Sequence, residues 1–420
     1  MEDRALLELG TEIGYLFQRY GAETYRVEES IVRLLDAYGV NCEVFAIPSS
    51  LIVSITTASG EPLTRLRRIG FHKTDLDAVE RLNALCRLLC SQTPPPKDAM
   101  HMLRQTEREI KTYPFSIMLV GYFLVASGFS VFFGGRLLDA VCAGLCGIAT
   151  GLCLHKLEAL YVNEFFSTIA AGFTPALLTQ LLSLAGLVQN ADAVTIGALM
   201  LLVPGLLITS CMRDIIYGDT MSGVNRLIQA VLCGVAIALG TGAALTLSRN
   251  LLHISAMGGI ASPSFVVQGL AVFVGCAGFC LLYNIRGLVG IAVCAIGGVL
   301  SWSGYTLAIS LGLSEMASFF AAAALSSFYA EVMARVRKYP AISYLITALL
   351  PLVPGAGIYY TVEYALSRDM NAFLNKGLET VGIAGVLAVG ILLVSSLFRM
   401  HLIHKRRVAQ TRIHSQRNHR

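Results

Sequence analysis

Ten apolar runs, nearly free of charge and each close to the roughly 20 residues of helix that cross a hydrocarbon core, follow one another between residues 115 and 398. They cover 115–134, 137–154, 163–186, 194–212, 227–248, 264–285, 287–303, 306–330, 341–362 and 379–398, and Ser303, Gly304 and Tyr305 are all that divides the seventh from the eighth. Backbone polar groups in lipid must be satisfied within the segment, so such runs become helices. Charged residues make up 14% of the 420 and hydrophobic ones 55%, where a soluble globular chain carries about 25% charge. The expectation is a polytopic α-helical membrane protein with about ten transmembrane helices, set in the cell membrane and in contact with the lipid bilayer.

Charge is unevenly spread. Residues 1–112 hold 14 Lys/Arg and 16 Asp/Glu, 113–398 hold 11 of each, and 399–420 hold seven Lys/Arg and no acid. This divides the chain into a polar region 1–112, a membrane body and a basic tail 399–420. The start, MEDRALLELG, is acidic and lacks the basic-then-apolar pattern of a cleavable leader.

The body repeats itself. LMLLVPGLLI (Leu199 to Ile208) and LLPLVPGAGI (Leu349 to Ile358) share Val-Pro-Gly, and the offset of 150 also pairs Arg136 with Arg286, Gly147 with Gly297, Asp219 with Asp369 and Asn225 with Asn375. Five helices in each copy, 113–250 and 263–398, force the copies to enter the membrane from opposite sides, an inverted-topology repeat of the kind found in secondary transporters. With the N-terminus inside, the inner loops carry Lys156, Arg213, Arg226, Arg286, Arg335, Arg337 and Lys338, and the outer ones Arg136, Arg249, Arg368 and Lys376. The excess of inner bases puts both termini in the cytoplasm.

Proline has no N–H to give a helix and clashes with the preceding turn. In lipid the freed backbone groups survive where they line a cavity, and the half-helix N-termini carry partial positive charge suited to a carboxylate. Pro204, Gly205, Pro354 and Gly355 are therefore candidates for a substrate site; the alternative is a kink held by packing. Glu315, read as lying about a third of the way into the eighth span, and Glu164, one residue from its duplicate position, are candidates for carrying a coupling proton. Asp214, Asp219, Glu363 and Asp369 follow the breaks as gate residues or as loop acids paired with Arg213 or Arg368.

In the polar region, Leu6, Leu9, Ile13, Leu16 and Tyr20 recur at helical spacing, as do Val27, Ile31, Leu34 and Tyr38. CEVFAI and LIVSITT flank a Pro-Ser turn like two strands, PLTRLRRI offers a third, and a helix starts near Thr74 with Asp77 as the capping-box acid. A cytosolic α+β module is expected. Its stretch Gly21, Ala22, Glu23, Thr24, Tyr25, Arg26 reads either as a polar cleft or as a helix start with its charged face in water.

The stretches GAETYRVEESIVRLLDAYGV, FAIPSSLIVSITT and TRLRRIGFHKTDLDAVERLNAL resemble the N-terminal domain of the threonine/serine exporter family, and SEMASFFAAAALSSFYAEVMARVRKYP with LLPLVPGAGIYY resembles the smaller subunit of its two-chain members. The chain is similar to the fused form from end to end. Glu315 and Pro351-x-x-Pro354-Gly355 match that pattern, whereas Leu201 stands where the first half would need a second proline. The resemblance implies export of small carboxylate-bearing metabolites driven by the proton motive force, with protons as partner: threonine and serine, or a dicarboxylate such as succinate. A homo-oligomer is a separate expectation that the resemblance does not fix.

Other classes find little support. There is no GxxxxGK[ST], HExxH, GxSxG or strand-following GxGxxG, and no basic pattern for nucleic acid, so no enzyme and no cofactor is expected. The eleven cysteines form no CxxC and read as small packing residues in reducing surroundings. His401 and His404, inside the basic tail, read as lipid-facing rather than metal-binding. A membrane receptor and a passive channel are the remaining alternatives.

Overall fold

The computed structural model describes residues 2–57, 59–70, 73–252, 263–337, 339–366 and 368–418. Two helices open the chain, α1 (Glu2–Arg19) and α2 (Thr24–Ala37), followed by the strands β1 (Cys42–Ile47), β2 (Ser50–Thr56) and β3 (Pro62–Arg68). The strands form an antiparallel meander in the order β1-β2-β3, with Ile47 opposite Ser50 and Thr56 opposite Pro62. Alternation along β2 sends Leu51, Val53 and Ile55 to one face, where they meet Leu9, Ile13, Val27 and Ile31 from the two helices in a single core. Gly14 makes this close approach possible, since a Cβ there would lie 2.4 Å from Ile31 Cδ1 and 2.7 Å from Leu51 Cδ2. Two more helices complete the region, α3 (Leu76–Gln92) and α4 (Pro96–Glu109). The cap of α3 is Asp75, which accepts from the Ala78 amide at 3.0 Å, rather than Thr74.

The remaining helices come as two matching series. The first is α5 (Phe115–Phe132), α6 (Leu137–Ala159), α7 (Glu164–Leu184), α8 (Ala191–Leu199), α9 (Gly205–Tyr217) and α10 (Thr220–Leu252). The second is α11 (Phe265–Leu282), α12 (Leu288–Ser310), α13 (Glu315–Arg337), α14 (Ala341–Leu349), α15 (Gly355–Leu366) and α16 (Met370–Asn418). Among the described residues, eight helices are long and apolar enough to cross a membrane, which makes this a polytopic helical membrane protein: α5, α6, α7, α10, α11, α12, α13 and α16.

The expected fourth and ninth runs are not continuous helices. Each is a pair of short ones, α8 with α9 and α14 with α15, separated at the Val-Pro-Gly. The boundary expected at Ser303–Tyr305 also falls elsewhere: these residues lie inside α12, which ends where Gly312 takes φ +84° and the Leu313 amide donates to the Ala308 carbonyl. Nor is the offset uniform. It is 150 for α5/α11, becomes 151 for α6/α12 and α7/α13, and returns to 150 for α8/α14 onwards. The extra residue is Gly287, which caps α12 at φ +82° in a loop one residue longer than that between α5 and α6. Gly147 consequently corresponds to Gly298 rather than Gly297: its Cβ would meet Tyr122 and Ala126, and that of Gly298 would meet Val272 and Cys276.

The centre of the membrane body is the packing of α5 on α11. A Cβ on Gly128 would lie 2.7 Å from the Ala271 carbonyl, and one on Gly278 would lie 2.8 Å from the Gly121 carbonyl. Small residues let two backbones touch in lipid, where dispersion rather than water exclusion holds helices together. The two contacts exchange when 150 is added or subtracted, so they are one contact made twice. Since 121 meets 278 and 128 meets 271, the helices run antiparallel.

Candidate functional site

The two breaks face each other. A Cβ on Gly205 would fall 1.6 Å from Val353 Cγ1, and one on Gly355 would fall 2.8 Å from Met200 Sδ and 3.0 Å from Val203 Cγ1. Val203 and Val353 are duplicate positions, so this too is a reciprocal contact. Pro204, Gly205, Pro354 and Gly355 are all buried in it. Helix α9 begins at Gly205 and α15 at Gly355, which brings two helix N-termini, with their partial positive charge, to one place; the Gly355 amide itself donates to the Val353 carbonyl at 2.7 Å. Hydroxyls sit in the second turns and bond back to their own helices: Thr209 donates to the Gly205 carbonyl at 3.1 Å and Thr361 to that of Gly357 at 2.7 Å.

The acids named from the sequence take three kinds of place. Glu164 and Glu315 are the first residues of α7 and α13, equivalent to each other and exposed. Glu315 therefore does not lie a third of the way along a helix; the turn at Gly312 and Leu313 resets the helix start, and an acid in a first turn is favoured by the helix dipole. Asp219 and Asp369 cap α10 and α16, accepting from the amides of Ser222 at 3.3 Å and Ala372 at 3.0 Å. The Glu363 side chain lies outside the described residues. Asp214 is 5% exposed and pairs with Arg226 Nε at 2.9 Å and, at the longer distance of 4.0 Å, with Arg213 Nε.

The motif at the start of α2 joins that group. Gly21 turns the chain at φ +82° against Thr74, Ala22 is buried, and Glu23 follows in an extended conformation before α2 begins at Thr24. Glu23 is only 6% exposed, and its carboxylate accepts a short hydrogen bond from Arg213 on α9. Its other oxygen lies 2.9 Å from Arg26 Nε, and Arg26 also donates to the Tyr25 hydroxyl at 3.0 Å. Arg226 reaches Thr24 Oγ1 at 3.4 Å. Burial alone would raise the Glu23 carboxyl, but the Arg213 and Arg26 guanidiniums outweigh it and hold Glu23 below the usual carboxylate range. Burial and the Glu23 charge push Tyr25 up to about 12. The charged face of this helix start is thus buried against membrane helices, not turned to water.

A second anchor holds the same region to the other series. Fully buried Asp75 accepts from the Asn284 amide at 2.8 and 3.0 Å, and the Leu76 amide donates to the Tyr283 carbonyl at 2.9 Å. Asn284 adopts φ +56° and also donates to the Lys111 carbonyl at 2.9 Å, while the Tyr113 amide donates to its side-chain oxygen at 3.2 Å. In the sequence Arg213 and Arg226 look like loop bases and Asp75 and Asn284 carry no signal, since nothing in a one-dimensional pattern joins residues 209 positions apart. Among the described residues no group of three or more His, Cys, Asp or Glu could hold a metal, and the side chains of His401 and His404 lie outside them.

Comparison with known proteins covers nearly the whole chain. The family described as "Putative threonine/serine exporter" matches residues 8–248, and that described as "Threonine/Serine exporter, ThrE" matches 268–397. The chain is 23% identical over 411 residues to the "Threonine/serine exporter" of Corynebacterium glutamicum, covering 92% of this chain and 81% of the relative. It is 22% identical over 407 residues to the "Probable threonine/serine exporter" of Mycobacterium tuberculosis, covering 94% and 76%. It is 23% identical over 254 residues to the "Probable succinate transporter subunit YjjP" of Klebsiella aerogenes, covering 59% of this chain and 95% of that one. No solved structure matches.

Proposed function

We propose that this chain, which belongs to the threonine/serine exporter family, carries small carboxylate-bearing amino acids of the threonine and serine type out of the cell as a secondary transporter coupled to protons. The relatives named as exporters over most of their length support the amino-acid reading. The observation that carries the mechanism is the reciprocal meeting of the two breaks, Gly205 on Val353 and Gly355 on Val203. Two converging helix N-termini offer amides to a carboxylate without requiring a permanent charge in the membrane.

In this reading α8–α9 and α14–α15 each cross the membrane as one interrupted span, which with the eight long helices makes ten. The halves 113–250 and 263–398 are then inverted repeats, as the antiparallel, exchange-related contact of α5 and α11 favours. The region 1–112 is a cytosolic domain and 399–420 a cytoplasmic tail: the first touches Arg213, Arg226 and Arg286, bases assigned to the inner side. Glu164 and Glu315, equivalent residues at opposite faces, are the proposed proton carriers, with Asp214 and Glu363 at the gates.

The test is counterflow and pH-driven accumulation in proteoliposomes with a panel of amino acids and dicarboxylates. Threonine or serine should be concentrated against its gradient when a proton gradient is imposed. Equilibration without accumulation would indicate a channel, and no flux a receptor. Similarity to a named succinate transporter subunit favours one second reading, a dicarboxylate exporter, which the same panel separates.

A further inference from the structure

The region 1–112 grips both series, and the two grips differ in chemistry. Asp75 and the Leu76 amide hold a backbone loop, 283–287, through hydrogen bonds to the Asn284 side chain and the Tyr283 carbonyl. Glu23 instead holds a charge. Arg213 is 8% exposed on α9, and its second ion pair, with Asp214 at 4.0 Å, is longer and shared with Arg226, which lies 2.9 Å from the same carboxylate. Withdrawing Glu23 would leave the guanidinium only the longer contact with Asp214 that Arg226 also uses, a weakly compensated state. Opening at this point is therefore favoured when another carboxylate arrives as Glu23 leaves.

We infer that Arg213 is the cytoplasmic recognition site for the substrate's carboxylate, and that Glu23 is a tethered surrogate for that carboxylate which closes the path to the breaks until substrate replaces it. The inference rests on the transport reading above and adds the residue that meets the solute first. Arg213 suits the task because a guanidinium binds a carboxylate with two parallel N–H donors. Thr24 and Arg226 lie at the rim of the same group, 3.4 Å apart. The duplicate position of Arg213 is Glu363, so the opposite face has no equivalent arginine, and the proposed entry site is specific to one side.

The experiment uses the full chain in everted membrane vesicles, with the cytoplasmic face outward. Glu23→Gln removes the competing charge and should lower the half-saturating threonine concentration by about threefold or more, while Arg213→Gln should raise it by about tenfold or more. Opposite signs are the signature, because a merely structural contact would weaken transport in both variants. A third variant covers loss of docking in the first two: Glu29→Cys with Arg399→Cys, an exposed pair whose side chains lie 3.8 Å apart, joined by a reducible thiol linker in a background otherwise free of cysteine. Linking should stop export and reduction should restore it. Continued export by the linked protein, or an unchanged or higher half-saturation in Glu23→Gln, overturns the proposal. Native Cys211, buried two residues before Arg213, reports independently of solute: with it as the sole cysteine, maleimide labelling from the cytoplasmic face should rise in Glu23→Gln. Raised labelling with no transport of any amino acid by the wild type would reject the amino-acid reading while leaving the gate standing. Unchanged labelling would reject the gate.

Discussion

A single methyl group tests the meeting of the two breaks. Gly205→Ala would place its Cβ 1.6 Å from Val353 Cγ1, and overpacking of this kind costs about 1–3 kcal/mol unless the neighbour yields. Export should fall by about tenfold or more at equal membrane abundance, and Val353→Ala in the same chain should restore a large part of it. Failure of the second change to rescue would show that the contact is not what the methyl disturbs. Glu315→Gln keeps shape and donor capacity but cannot release a proton. Counterflow should survive in part and pH-driven accumulation should collapse; wild-type accumulation would move the proton to Glu164 or Asp214. The two breaks were legible from sequence because Pro followed by Gly, at Pro204 and Pro354, removes a helix donor and adds no side chain to hold the turn, whereas Pro175 alone leaves α7 continuous. The partner of Glu23 was not, since an acid at a helix start looks the same whether it faces water or an arginine 190 residues away.

At the level of helices, the duplication makes its own control. Leu160 and Leu311 are equivalent, each the C-cap that ends α6 or α12, and they are 72% and 71% exposed. Cysteines placed there in a cysteine-free chain should react from opposite sides of the membrane, Leu311→Cys from outside and Leu160→Cys from the cytoplasm. Labelling from the same side would rule out inversion. Three strands could be read from hydropathy and alternation at 42–47, 51–57 and 62–69, within one residue of β1, β2 and β3. Helix ends could not: α12 runs through Ser303–Tyr305 because Ser and Gly are tolerated within membrane helices, and α10 and α16 extend several residues before the apolar runs that announced them, started by the caps Asp219 and Asp369. One inserted glycine, Gly287, accounts for the slip that hid the exact equivalence of Glu164 and Glu315.

For the molecule as a whole, stability should depend on pH through Glu80. Burial first, and then the Asp77 carboxylate, push the Glu80 carboxyl up to about 7, against the pull of Arg81, Arg337 and Arg87. An acid with a raised pKa binds more protons folded than unfolded, so its contribution to stability falls as pH rises from roughly 4.3, the unfolded value, to about 7. Melting temperature in detergent should therefore drop between about pH 5 and about pH 8 more in the wild type than in Glu80→Gln; equal drops would mean that Glu80 titrates normally. The gate proposed at the buried pair of Glu23 and Arg213 has a further consequence for the cell. An anion fixed to the same chain presents itself at an effective concentration on the order of millimolar or above. A free solute competing for that guanidinium makes little headway until its own concentration is comparable. Transport governed by such a contact behaves as an overflow valve: it stays shut while the cytoplasmic pool is at working levels, and it opens with the excess.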